Sequence, residues 1–160
     1  MFQTVIPGEP VGAGRPRATF APALGRPRLY EPAKSRDWKA CAALQIKADW
    51  GRRAPLDEPV RLFAQFIGGR PKTLLRKKDR DGRLWRPKKP DIDNALKSLM
   101  DALVDAGVLR DDTRVVSVHA ESLYARRDEG PSVNVWLELI GPETPSEARP
   151  LTLLGLGRAL

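Results

Sequence analysis

The chain has 160 residues, 28 Lys plus Arg against 20 Asp plus Glu, a formal net charge of +8 and one cysteine. That length fits one domain with a real core and is too short for two comfortable ones, so a domain over residues 1–140 and a tail over 141–160 are expected. The lone Cys41 excludes disulfide scaffolds and zinc fingers, no run of about 18 apolar residues exists to span a bilayer, and the basic balance points to polyanions such as nucleic acid.

In chain order, FQTVI reads as a short strand, and its MFQTVIPGEP context lacks the charged-then-apolar layout of a secretory signal, so a cytoplasmic protein is expected. The following PGEPVGAGRPRATFAPALGRPR is dense in Gly, Pro and Arg and reads as an irregular basic loop carrying Arg15 and Arg17. From Pro32 to Trp50, Trp38, Ala42, Ile46 and Trp50 recur every four residues, which predicts an amphipathic helix, with Cys41 taken as a small buried apolar residue. VRLFAQFI at 60–67 predicts a strand ended by Gly68 and Gly69. The segment 69–90, GRPKTLLRKKDRDGRLWRPKKP, is the strongest basic concentration in the chain. Charge alone reads it as a solvated, mobile loop, although Trp85 among its cations favours a contact role. Leu96, Leu99, Met100 and Leu103 then form a stripe that predicts a helix over 94–106, with Gly107 as its C-terminal stop. RVVSVHAESLY at 114–124 and VNVWLELI at 133–140 both alternate, and the short RRDEGPS between them predicts a hairpin. His119 falls on the polar phase of its strand and reads as a surface residue. The fold class expected is α+β, a small mixed, largely antiparallel sheet packed against two helices.

Six acids fall between 91 and 112, and all six are Asp. Asp forms helices less well than Glu but suits caps, turns and rigid metal ligation. A residue before proline is held extended, so Lys89 and the chain just past Pro90 are expected to be extended. Asp91 and Asp93 would then face one way, with Ile92 turned to the core. Two carboxylates sharing one space repel, and a divalent cation such as Mg²⁺ relieves that repulsion. Lys97 follows Asp93 by one turn, and Asp101 follows Lys97 by four; Asp101 either orients the lysine or forms an ordinary helix ion pair. Each feature alone has a plainer reading: an Asp-x-Asp before a helix is a cap plus a surface acid, and Asp111-Asp112-Thr113 is a turn.

Taken together, the stretch PDIDNALKSLMDALVDAGVLRDDTRVV, residues 90–116, resembles the RusA-type Holliday junction resolvases, small basic endonucleases often found in phages and prophages. The resemblance implies metal-assisted hydrolysis of DNA phosphodiesters in recombination and repair, with Mg²⁺, or Mn²⁺ in its place, on Asp91, Asp93 and Asp112. It implies Lys97 as the catalytic lysine. Asn94, Asp101 and Asp111 are supporting candidates, and Arg15, Arg17, Arg76, Lys77, Lys78, Arg86, Lys88 and Lys89 are candidates for binding phosphates. The implied partners are branched DNA and a second copy of the chain, since a four-way junction offers two equivalent strands related by a two-fold axis. No membrane and no nucleotide cofactor are expected. Two other readings stay open: a non-catalytic nucleic-acid-binding protein with structural aspartates, and a metal-dependent transferase acting on a nucleotide-sugar.

Overall fold

The computed structural model describes residues 1–14, 17–21 and 26–141. A five-stranded mixed sheet carries two helices on one face. The strands are β1 (Phe2–Pro7), β4 (Val60–Gly68), β5 (Leu84–Trp85), β6 (Val115–Tyr124) and β7 (Ser132–Leu139), in the order β1-β7-β4-β6-β5. Strands β2 (Arg17–Ala21) and β3 (Arg26–Tyr30) form a separate two-stranded ladder. The helices are α1 (Ala33–Trp50) and α2 (Ile92–Asp105). Among the described residues no helix is long and apolar enough to cross a membrane.

The period-2 pattern sets the buried face. Leu62, Ala64 and Phe66 of β4 lie opposite Leu137, Val135 and Val133 of β7, which lie opposite Phe2, Thr4 and Ile6 of β1. All nine are buried, and the same core takes in Ala42, Ile46 and Trp50 of α1 and Ala95, Leu99 and Leu103 of α2. The stripes at 3-and-4 spacing thus do what amphipathic helices do on a sheet. Gly107 ends α2 with φ +73°, its N–H reaching Val104 O (2.9 Å) while Val108 N reaches Leu103 O (3.0 Å), the paired bonds of a Schellman stop.

Several expectations are corrected. Residues 114–124 and 132–139 do not form a hairpin: β4 lies between β6 and β7, antiparallel to β7 and parallel to β6. Alternation reports which face a strand buries, and β4, buried along most of its length, is the strand that needs a neighbour on both edges. The stretch after β1 is not wholly irregular, since Arg17–Ala21 pairs with Arg26–Tyr30 despite the flanking Pro and Gly. Cys41 is exposed, because it sits one residue, about 100° of helix, off the core-facing line of half-buried Trp38 and buried Ala42, Ile46 and Trp50. The tail 142–160 lies outside the described residues.

Candidate active site and nucleic-acid interface

The sheet has two ends, and the candidate residues divide between them. At one end stand the last residues of β1, β4 and β6, with the N-terminus of α2 and the loop 8–14 laid over it. Ala13 N donates to Asn94 O (2.8 Å), and a Cβ on Gly12 would come within 2.9 Å of the Pro90 Cβ and 3.0 Å of the Asn94 Cβ. Gly12 is what lets the loop lie against the helix start.

Asp91 is the N-cap residue of α2 in backbone terms, but its side chain makes no capping hydrogen bond. Asp93 sits in the first turn and is exposed. Helix begins at Ile92, so strand alternation does not operate across 91–93. Ile92 is accordingly 41% exposed rather than turned to the core. An open cleft of about 810 Å³ beside Asp91 is walled by Glu9, Lys34, Arg86, Lys89 and Asn94. A second cleft, about 480 Å³, brings Lys88 and Ser122 to Asp91 as well. Asp91 therefore lies between two basic-walled openings.

The Arg86 side chain packs against the end of β4. Its guanidinium lies over Gly68, where a Cβ would meet Nε at 2.5 Å, and its Nη2 donates to Lys89 O (2.7 Å). Its Nη1 is buried and has no hydrogen-bond partner among the described residues.

Lys97 is exposed and joins no ion pair among the described residues; Asp101 reaches across to Lys39 of α1 instead (3.8 Å). The helix-internal Lys97–Asp101 pairing is thus replaced by a tertiary one. Lys39 also holds Glu31 (3.2 Å), Ser35 Oγ donates to Glu31 Oε1 (2.8 Å), and Gly14 N donates to Ser35 Oγ (3.1 Å). This chain of bonds ties the loop after β1 to both helices. The Ser35 hydroxyl first, with Lys39, keeps the Glu31 carboxyl below its usual value. Burial works against the Lys39 charge, but Glu31 and Asp101 outweigh it and raise its pKa. Glu31, Ser35, Lys39 and Lys34 were not singled out from sequence. Glu31 and Ser35 stand four apart and Lys39 four further on, a faint helical signal in hindsight.

The two remaining aspartates lie at the other end of the sheet. Asp111 Oδ1 accepts from Thr113 N (2.9 Å), and Thr113, by its side chain first and then its backbone N–H, holds the Asp111 carboxyl below the ordinary range. Asp112 opens the short 3-10 turn Asp112–Arg114 and is exposed, while Arg110 and Arg114 both pair with Asp57 (2.7 and 3.1 Å). From Val115 to Ser122, β6 runs about 23 Å at strand rise, so Asp112 stands roughly that far from Asp91. Among the described residues no group of three or more His, Cys, Asp or Glu side chains is placed to hold a metal ion. Within one chain, Asp91 and Asp93 stand two residues apart at the start of α2, and Asp112 lies at the other end of the sheet.

The basic segment 69–90 is built around one arginine. The Arg70 guanidinium donates to Ala125 O (2.9 Å), Arg80 O (2.6 Å), Asp81 O (3.2 Å) and Gly82 O. Arg127 Nη2 bonds Arg76 O and Asp79 O (2.6 Å each). Arg83 bridges Glu129 (2.5 Å) and Gln65 Oε1 (2.9 Å), and the Arg83 contact keeps Glu129 below its usual pKa. The solvated-loop reading is corrected to a folded lobe, because these two arginines satisfy its backbone carbonyls. Arg76, Lys77, Lys78, Lys88 and Lys89 remain exposed, and Trp85 is 71% exposed. Arg15 and the Arg17 side chain lie outside the described residues. His119 is exposed, 3.5 Å from Glu121.

A family model described as "Endodeoxyribonuclease RusA" matches residues 7–138, a span that takes in the basic lobe. A Bacillus subtilis (strain 168) protein, "Uncharacterized protein YqaN", is 31% identical over 135 residues, covering 81% of this chain and 90% of that protein.

Proposed function

Because the chain belongs to the RusA endodeoxyribonuclease family, we propose that it is a Mg²⁺-dependent, structure-selective endonuclease that resolves four-way junctions by paired nicks as a homodimer. The observation that carries this reading is the pair Asp91 and Asp93 at the start of α2, with the N-cap carboxylate making no cap and basic clefts on both sides. A structural aspartate would be expected to do what Asp111 does and bond the backbone. Asp91, which lines both clefts, and the exposed Asp93 make no side-chain hydrogen bond or ion pair among the described residues, and carboxylates open to water and phosphate match the donor set Mg²⁺ favours.

In this reading Asp91 and Asp93 hold the metal from one chain, and Asp112 comes from the second copy, since its own chain keeps it at the far end of the sheet. The bound ion would supply an acidified water and neutralise charge on the phosphate. Lys97, one turn into α2 and without an ion pair among the described residues, would stabilise charge developing on the phosphate oxygens. Arg86, Lys88 and Lys89 bind flanking phosphates, Arg76, Lys77 and Lys78 follow a junction arm, and Arg15 and Arg17 are assigned the same task. Asn94 fixes the loop 8–14 over the site, and Asp101 holds Lys39 and so the α1–α2 contact.

The test is cleavage of an immobile four-way junction in Mg²⁺, beside a linear duplex of the same arms and Asp93→Asn protein. Paired nicks on the junction alone, absent in the variant while junction binding persists, are expected. A wild type that binds the junction but leaves it uncut in Mg²⁺ and Mn²⁺ would replace this reading with a non-catalytic binding module, for which the absence of a three-carboxylate group among the described residues of one chain is the supporting observation.

A further inference from the structure

Helix α1 and strand β1 leave a groove between them. It holds about 340 Å³ and is walled by Ile6 and Pro7 of β1 and by Trp38, Cys41, Ala42 and Leu44 of α1, and none of the residues lining it is charged. Leu44 is 70% exposed, and Cys41 is exposed beside it. In a chain with 28 Lys plus Arg, a wall without a single cation is not a surface built for phosphates. Strand β1 is also an edge of the sheet, and among the described residues no strand pairs with its outer side. Proteins ordinarily guard or cover such an edge.

The chain beyond β7 has the composition to cover it. Residues 142–150, PETPSEARP, hold three Pro and two Glu, whereas 151–160, LTLLGLGRAL, hold five Leu and one charge. A polar spacer thus precedes an apolar end. Leu137 pairs with Phe2, so β7 leaves the sheet beside the first residues of β1, and Pro7 stands about 17 Å further along at strand rise. The nine residues 142–150 can span up to roughly 30 Å, so Leu151 reaches the groove with chain to spare.

We propose that the leucines of 151–156 seat in the groove between α1 and β1 of their own chain. Attachment through a short spacer gives the tail an effective concentration of about millimolar at the groove, so burial of a few leucines is enough to hold it. The same attachment favours the tail of the same chain over that of a second copy. No residue of the carboxylate pair lines this groove, and the family match ends at residue 138, so the docking stands apart from the endonuclease reading.

Cys41, the only cysteine, lines the groove and reports its occupancy. The experiment uses full-length protein. Alkylation of Cys41 by iodoacetamide is expected to run about tenfold faster in the combined Leu153→Ser, Leu154→Ser and Leu156→Ser variant than in the parent chain, the ratio for a tail docked ten to one, with an unchanged circular dichroism spectrum. A second arm adds one cysteine at a time, Leu154→Cys in the apolar end and Ser146→Cys in the spacer. Mild oxidation of dilute protein is expected to close a disulfide to Cys41 within one chain several-fold faster from 154 than from 146, because docking brings only the former within bonding distance. Equal labelling rates with and without the leucines, with closure no faster from 154 than from 146, would overturn the proposal and leave the groove to a separate partner. Disulfides that join two chains rather than close one would overturn it in favour of the tail of a second copy.

Discussion

Neighbouring aspartates in this chain do different work, and the difference is in their hydrogen bonds. Asp111 accepts from Thr113 N and shapes the turn into β6, whereas Asp112 and Asp93 are exposed and accept no backbone bond among the described residues. Asp111→Ala is therefore expected to lower the melting temperature while cutting per folded molecule is kept. Asp112→Asn is expected to leave the melt unchanged and abolish cutting. Thermal melts and junction cleavage on both proteins check the assignment, and the opposite pattern would make Asp111 the ligand. The carboxylate pair was legible as Asp-x-Asp before a helix. Its geometry was not, since the helix start at Ile92 rather than Asn94 changes where Ile92 points.

At the level of elements, the basic lobe is joined to the sheet through β4 and β6. Gly68 closes β4 under the Arg86 guanidinium, which is a side chain with freedom to move. Gly68→Ala is expected to leave stability nearly unchanged but to push Arg86 out of the cleft beside Asp91, weakening junction cutting about tenfold, the scale of one phosphate contact at about 1.4 kcal/mol. Single-turnover cleavage with a parallel urea melt reads both quantities. The Arg83–Glu129 bridge fastens the lobe to the link between β6 and β7. Arg83 lowers the folded-state pKa of Glu129, so the stabilisation is present above the unfolded value near 4.5 and is lost as pH falls through the lower folded value. Glu129→Gln is expected to cost about 1–2 kcal/mol at pH 7 and progressively less below pH 4.5. Urea melts of both proteins at pH 7 and pH 3.5 test this, and a pH-independent difference would show that charge is not the cause. Sequence reading of 69–90 saw the cations but not the fold, because Arg70 and Arg127 bond backbone carbonyls, for which composition carries no signal.

For the whole molecule, the prediction concerns two inactive proteins that repair one another. If Asp91 and Asp93 act with Asp112 of the partner subunit, a heterodimer of Asp93→Asn and Asp112→Asn chains has one doubly defective site and one intact site. Mixing the two variants after brief unfolding and refolding is expected to restore single nicks, up to about a quarter of wild-type site activity for random pairing. No restoration would mean that each site draws all its carboxylates from one chain. The sequence by itself determined the strands and helices whose apolar periods face the core, the α+β class, the basic character and the residues of the family motif, because these depend on local spacing and residue chemistry. Only the tertiary structure decided that β4 separates β6 from β7, that Asp101 serves Lys39, and that Asp112 stands a strand's length from Asp91. Those relations depend on which strand pairs with which and on the direction of each crossing, and a one-dimensional pattern is the same for every such arrangement.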